Sequence, residues 1–495
     1  MTSPTATLDS HAAGNERVEV LGRSMPYKYV VAIIYVTALF LDILDVTIVN
    51  VAIPALGVEF ATENAEWIVL GYTLSLAVWI PVSGWLGDRF GTKRVFMFAF
   101  TSFVAGSLAC ALAQSIGQLI AFRILQGIGG GMLTPVGVTM LFRAFPPVER
   151  AKASTYIMIP TLLAPALGPI VGGLLVTHAS WRWIFLINVP IGIVGLLFGM
   201  RYLREDHNPT AGRFDLPGFI LSGSALALVV YALSEGPRAG WTSSAVLVTG
   251  IVGVVAAIAM VWVETHVEHP MLALRLLGNR IFRQCNAVSI LSSMGFMGLL
   301  FVMPLYLQLL RGQDALHSGL TTFPQAFGVM ISSQFAGRLY GSVGPRRLMA
   351  GGMFAASLVI ASFMALDTDT SLWWIRGMMF FRGLCMGFAF VPMQAASYAT
   401  IAPADNGRAS AIFSTQRQVG ISIGVAILAS VLASYMSLSR PPALDEVDHV
   451  LTGYRIAFGL AVVFTVLAGI AALFIRDSDA EATMAARRSV EVHGE

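Results

Sequence analysis

Fourteen apolar stretches of about 20 residues divide this chain, and they leave it little choice of solvent. They run at 29–51, 66–86, 94–113, 117–142, 151–177, 183–203, 215–234, 244–265, 281–310, 318–340, 347–366, 371–398, 408–436 and 453–475. A helix of that length matches the roughly 30 Å of hydrocarbon in a bilayer. Only 12% of the residues are charged, about half the share of an average soluble domain. Lipid offers the backbone no hydrogen bonds, so each span must close its own, as a helix does. The expectation is an all-α integral membrane protein. The connecting segments are too short for a separate soluble domain. The first 28 residues are polar and lack a signal peptide's apolar core, so the first span is expected to be retained.

Lysine and arginine give the orientation. The two tails and the even-numbered loops hold 22 of them, the odd-numbered loops four: Arg182, Arg238, Arg311 and Arg440. Five more (Arg123, Arg376, Arg382, Arg417 and Arg455) fall in or at the ends of spans. Such asymmetry places both termini in the cytoplasm. A net charge of +3, widely spread, excludes a nucleic-acid binder. No G-x-x-x-x-G-K-[ST] loop is present, so no nucleotide is expected. The run "QGIGGGML" (126–133) lies inside a span with no strand before it, which rules out a dinucleotide turn. Cys110, Cys285 and Cys385 all sit in apolar segments and read as small buried hydrophobes.

The chain repeats itself. "GWLGDRFGTKRVF" begins at Gly84 and "GRLYGSVGPRRLM" at Gly337, 253 residues later. "FRILQGIGGG" (122–131) is echoed by "FRGLCMGFAF" (381–390), 259 residues later. Two echoes at nearly one offset imply two similar six-span halves with spans seven and eight inserted between them. The boundaries expected are a tail at 1–28, a six-helix bundle at 29–203, two additional helices at 204–270, a second bundle at 271–475 and a tail at 476–495. Parallel repeats of this kind belong to transporters that rock two bundles about a central site.

"FLDILDVTIVNVAIP" (40–54) places Asp42 and Asp45 three residues apart, on one helix face. Each carboxylate costs roughly 2.5–3.5 kcal/mol near the bilayer centre, a cost tolerated at a cavity or beside a partner. Counting from the span ends puts Asp45 and Arg123 at one level, roughly 9 Å below the surface away from the termini. Arg123 is therefore the candidate partner. Two roles stay open for each acid: proton exchange, or a permanent pairing with arginine. The second half has Arg382 and Arg417 at depth and no deep acid. Gln126, Gln325, Gln394 and Gln416 could add polar contacts to a cavity. "VETHVEHP" (263–270) clusters Glu264, His266, Glu268 and His269, which read as a solvated membrane edge; no metal site is expected.

In these motifs the chain resembles the fourteen-span drug/proton antiporters of the major facilitator superfamily. "LDVTIVNVAIP" (44–54) is similar to their first-span motif, "GWLGDRFGTKRV" (84–95) to the loop-two signature and "RILQGIGGG" (123–131) to the fourth-span arginine motif. "APALGPIVGG" (164–173) resembles the fifth-span antiporter motif, with Ala164 where that pattern usually has Gly. "WRWIFLINVPIG" (181–192) and "DLPGFIL" (215–221) are typical of the fourteen-span group. The resemblance implies a major facilitator-type fold of fourteen transmembrane helices, two pseudo-symmetric bundles plus two inserted helices. It implies proton coupling at Asp45 and Arg123; Asp42, one turn away, lies outside the family's motif. Depth along the spans, not the resemblance, makes Gln126, Gln325, Arg382, Gln394, Gln416 and Arg417 candidates to reach a central cavity. Gly168, Pro169, Gly172 and Gly173 would seal the two halves. Gly84, Asp88, Arg89, Gly91, Lys93 and Arg94 would form a gate, with Asp88 docking on the start of span thirteen near Arg408; the basic residues of that loop have anionic lipid as their other reading. The function implied is export of small, largely hydrophobic compounds across a bacterial plasma membrane, driven by the proton gradient and without a cofactor. Its partners would be the substrate, protons and the bilayer. Export of one metabolite or lipid is the alternative on the same fold; a membrane enzyme is not expected.

Overall fold

Polar chain gives way to helix at Tyr27. The computed structural model describes residues 16–484, apart from 21, 63, 146–149, 206–213, 268–269, 402–404, 438–441, 444 and 482. Arg440, Glu268, His269 and most of both tails therefore lie outside the described residues. The helices are α1 (Tyr27–Glu59), α2 (Trp67–Phe90), α3 (Thr92–Ala111), α4 (Ile116–Ala144), α5 (Arg150–His178) and α6 (Trp183–Leu186, resuming as Asn188–Tyr202). The inserted pair is α7 (Leu216–Ala239) and α8 (Ser244–His266). Then follow α9 (Arg280–Leu305, prolonged by a π turn at Tyr306–Leu310), α10 (Ala315–Thr322 and Pro324–Val343), α11 (Pro345–Ser362), α12 (Leu372–Ser397), α13 (Asn406–Ala433) and α14 (Val447–Leu473). Side-chain caps such as Ser115, Asp215, Ser243, Asn279 and Asp314 start several of them.

Among the described residues, twelve helices are long and apolar enough to cross a membrane. The other two crossings are α5, 29 residues long, and the second piece of α10, 20 residues long and diluted by Gln325, Ser332, Ser333 and Gln334. With fourteen crossings, both ends of the described chain lie at one face, called here the terminal face; the other is the far face. One element departs from all-α. Arg17–Val20 (β1) and Arg23–Pro26 (β2) form an antiparallel hairpin that turns at Gly22, whose φ is +78°. Glu16 beside it accepts from Arg204, and that guanidinium holds its carboxyl below the usual carboxylate range. The alternation of Val with charged residues in this polar tail carries the hairpin.

Packing follows the sequence repeat. In the first half α1 packs on α5, α2 on α4, and α3 on α4 and α6. In the second half α9 packs on α13, α10 on α12, and α11 on α12 and α14, each pair shifted by eight helices. The two inserted helices pack on each other, and α7 lies against α13 and α2.

The repeat has a local cause as well. Gly91 and Gly344, 253 residues apart, open α3 and α11 with φ of +97° and +88°, a region glycine enters without strain. Each helix start then takes a carboxylate from just beyond the sixth helix of its half. Lys93 N donates to Glu205 Oε1 at 3.0 Å, and Arg346 N donates to Asp477 Oδ1 at 2.9 Å. Negative charge at a helix N-terminus is favourable, as positive charge is at a C-terminus. Lys93 Nζ supplies the latter, donating to the Met200 and Leu203 carbonyls that end α6, at 3.2 and 2.5 Å. Arg94 faces Glu205 at 3.5 Å. The basic pair of this loop thus clamps its own half together.

The halves meet by symmetry-related contacts, α2 on α13 and α5 on α10. Gln308 Nε2 donates to the Val51 carbonyl at 2.9 Å, Leu316 N to Thr177 Oγ1 at 3.1 Å, and Ser422 Oγ to Thr73 Oγ1 at 3.0 Å. These bonds lie toward the far face. The fifth-helix glycines divide between two tasks. A Cβ at Gly168 would strike Thr47, and one at Gly172 would lie 2.8 Å from Ile48 Cγ1, both on α1 of the same half. A Cβ at Gly173 would lie 2.5 Å from the Ala315 carbonyl, and one at Gly319 would strike the Pro169 carbonyl, across the halves. Of the four residues expected to seal the halves, Pro169 and Gly173 touch the second half, while Gly168 and Gly172 pack α5 on α1. Overpacking costs about 1–3 kcal/mol, so Gly173→Leu should favour the form opened at the far face. A thiol reagent confined to that side should then label Thr73→Cys roughly tenfold faster, the ratio that 1.4 kcal/mol gives. Unchanged labelling would remove Gly173 from the seal.

Candidate functional site: a buried charge network in the first half

Asp45 lies at the middle of α1 with 0% exposure, where a bare carboxylate could not stay. Every oxygen is occupied. Arg123 Nη1 on α4 donates to Oδ2 at 2.5 Å; Gln126 Nε2 and Asn188 Nδ2 donate to Oδ1 at 2.9 and 3.1 Å. Arg123, 1% exposed, also donates from Nε to the Ile68 carbonyl at 3.1 Å and from Nη1 to Gln126 Oε1 at 2.6 Å. Its Cζ lies 4.0 Å from the ring centroid of Tyr72. Ser107 Oγ on α3 accepts from Gln126 Nε2 at 2.6 Å and from Asn188 Nδ2 at 3.3 Å, which closes the network toward α3 and α6. Five helices of one half thus converge on a single ion pair. Removing one member of such a pair costs about 3–5 kcal/mol, because the other charge is left buried alone.

Asp42 stands one turn away on the same helix, 8% exposed. The Tyr72 hydroxyl donates to its Oδ1 at 2.6 Å. Tyr72 therefore touches both charges, its hydroxyl on Asp42 and its ring face on Arg123. The glycine run of α4 makes room for it. A Cβ at Gly130 would lie 2.6 Å from the Tyr72 hydroxyl and 2.7 Å from Asp42 Oδ1.

The structure sorts the other candidates. Gln126 belongs to the Asp45 network and is fully buried, not placed at a cavity. Arg382, 0% exposed, donates to Gln325 Oε1 and, at 2.9 Å, to the Phe296 carbonyl on α9. It occupies in the second half the place of Arg123, with no carboxylate paired to it among the described residues. Gln325 is consumed by that contact. Gln394 and Arg417 are exposed and Gln416 is half-buried. Arg417 lies in mid-helix, and its charge interacts with Asp42 of the first half and Tyr398 of the second, so it faces the space between the halves.

Two gate residues stand elsewhere than expected. Asp88 faces Arg143 at 3.3 Å, at the terminal ends of α2 and α4, and Arg408 faces Asp405 at 3.5 Å. Asp88 thus pairs inside its own half, not with α13, because the halves are joined at the opposite face. Arg89 and Gly84 are exposed. Glu264 accepts from Leu272 N at 2.9 Å and His266 stacks on Trp262; no group of three metal-binding side chains stands together among the described residues. Asn188, Ser107 and Tyr72 were not singled out from the sequence. Asn188 lies within the quoted "WRWIFLINVPIG", where it is the one amide, and that was the available signal.

Gly130→Ala should lower stability by about 1–3 kcal/mol through this overpacking, read as a drop in the unfolding midpoint in detergent. In a Tyr72→Phe background that drop should shrink, since one of the colliding atoms is gone while Asp42 Oδ1 remains 2.7 Å away. Equal drops in both backgrounds would place the clash elsewhere.

The Major Facilitator Superfamily matches this chain over residues 35–425. The Multidrug resistance protein B homolog of Mycobacterium tuberculosis is 36% identical over 399 residues, covering 79% of this chain and 73% of that protein. The putative multidrug resistance protein MdtD of Serratia proteamaculans is 32% identical over 399 residues, covering 80% and 83%. Among solved structures, a bacterial homolog of the human lysosomal transporter Spinster, inward-facing and unoccupied, superposes with a TM-score of 0.66 over 94% of this chain and 99% of that one. Its 16% identity speaks for the fold alone. Repeat, packing and sequence match agree: the chain belongs to the Major Facilitator Superfamily.

Proposed function

We propose that this chain exports small, largely apolar compounds across a bacterial plasma membrane in exchange for protons, by alternating access and without cofactor or nucleotide. The observation that carries the reading is a pair of acids one turn apart on α1, Asp42 and Asp45, held deep in the membrane region by Arg123 and Tyr72. A purely structural helix has little use for two such charges, each costly in lipid. A proton-driven carrier needs at least one acid there that can take up and give back a proton. Relatives named for multidrug resistance support the same choice of cargo.

The positive charge collected at the terminal face makes that face cytoplasmic. The bonds joining the halves lie toward the far face, so the arrangement described is the one open to the cytoplasm. Cargo would enter there, among Gln394, Gln416 and Arg417. Rocking about the α2–α13 and α5–α10 contacts would then open the far side, with Asp88 and Arg143 exchanging partners as the cytoplasmic ends approach. Each proton moved inward gains about 2.3 kcal/mol per 100 mV, and no nucleotide site is needed.

In vesicles loaded with a panel of lipophilic dyes, an imposed pH gradient should drive transport, and a protonophore should abolish it. Arg123→Ala should lower the initial rate by more than about tenfold, because stripping the partner from a buried carboxylate costs about 3–5 kcal/mol. Transport indifferent to the protonophore would exclude proton exchange as the energy source.

A further inference from the structure

The two acids of α1 differ in one respect that decides which of them can trade a proton with water. Asp45 gives both oxygens to Arg123, Gln126 and Asn188 and is sealed from solvent. A proton can reach it only by displacing a guanidinium that has no water to turn to. Asp42 gives Oδ1 to the Tyr72 hydroxyl; its Oδ2 accepts no hydrogen bond among the described residues, and the residue keeps 8% exposure where Asp45 has none. That oxygen takes a proton without breaking an ion pair.

Asp42 is also the acid that the second half can sense. The charged and titratable groups facing it are Tyr35 and Asp45 on α1, Tyr72 on α2, Arg123 on α4 and Arg417 on α13. Depth agrees. The Ser422–Thr73 bond fixes α13 against α2, and Arg417 lies roughly 7 Å from Ser422 toward the terminal face. Gly130, against which Asp42 packs, stands beside Leu76, roughly 4 Å from Thr73 in the same direction.

We infer that Asp42 carries the exchanged proton, while Asp45 and Arg123 form a fixed charge pair that holds Tyr72 in position to hydrogen-bond it. The inference rests on the proton-coupled export proposed above and names its proton site. On loading, a proton from water bonds to the free Oδ2 and the carboxylate becomes a neutral acid. On discharge that O–H bond breaks, its electron pair stays on Asp42 and the proton returns to water. Tyr72 keeps its own hydroxyl hydrogen throughout. Arg417 meets a charge on Asp42 before the exchange and none after it, so the second half registers the event.

The test uses the full chain, purified and in vesicles, with ethidium as the probe. Wild-type protein should release protons into a lightly buffered solution when ethidium is added. No release would overturn the export reading and this inference with it. Given release by wild type, Asp42→Asn should release none above background yet still exchange ethidium for ethidium across vesicles. Asp45→Asn should lose thermal stability and, in the protein that remains folded, release protons with a displaced pH midpoint, because Tyr72 loses the support of the fixed pair. Tyr72→Phe covers the case in which Asp42→Asn does not fold; it removes the hydrogen bond and should move the pH midpoint of release by about one unit. Release from Asp42→Asn at the wild-type level, its loss in folded Asp45→Asn, or an unmoved midpoint in Tyr72→Phe would each overturn the assignment.

Discussion

An arginine and an aspartate buried together in hydrocarbon, Arg123 against Asp45, set the terms for the first half of this protein. Neither charge is tolerable alone at that depth. Their shared burial draws in an amide from α4, another from α6, a hydroxyl from α3 and a carbonyl from α2. Five helices are thereby held in one register by these groups. The face of Tyr72 covers the guanidinium, and its hydroxyl reaches past the pair to Asp42. The immovable charge thus positions a movable one.

The second half keeps the scaffold without the acid. Helix for helix the packing repeats, and so does the junction in which a carboxylate beyond the sixth helix meets a helix opened by glycine. Arg382 repeats Arg123, but it settles on an amide and a carbonyl. A doubled fold has therefore kept its geometry while the acids buried in mid-helix, Asp42 and Asp45, stand in one copy. On the reading proposed above, this asymmetry gives a direction to the exchange: the first half would bind the proton and the second, through Arg417, would respond to it.

Much of this was legible in the sequence, for physical reasons. Spans show because lipid forbids charge over a fixed length, and the repeat shows because glycines at positive φ admit few substitutes, as Gly91 and Gly344 illustrate. The Asp45–Arg123 pairing followed from counting depth along two oppositely directed helices. Depth, however, fixes level and not azimuth. Gln126 lies at the right level but turns into the bundle, and Asn188 completes the network from a helix whose single amide carried no depth argument of its own. Asp88 was misplaced for another reason: its partner depends on which face of the protein is open, and a sequence describes no single state. The hairpin at 17–26 was missed because four-residue strands in a polar tail give too short a pattern.

The most direct measurement is infrared difference spectroscopy of the carboxyl C=O stretch, taken as the purified protein is acidified and then given cargo. A protonated-carboxyl band should appear on acidification, vanish with cargo, and be absent from Asp42→Asn while persisting in folded Asp45→Asn. A band that survives in Asp42→Asn and disappears in Asp45→Asn would contradict the division between a fixed and an exchanging acid.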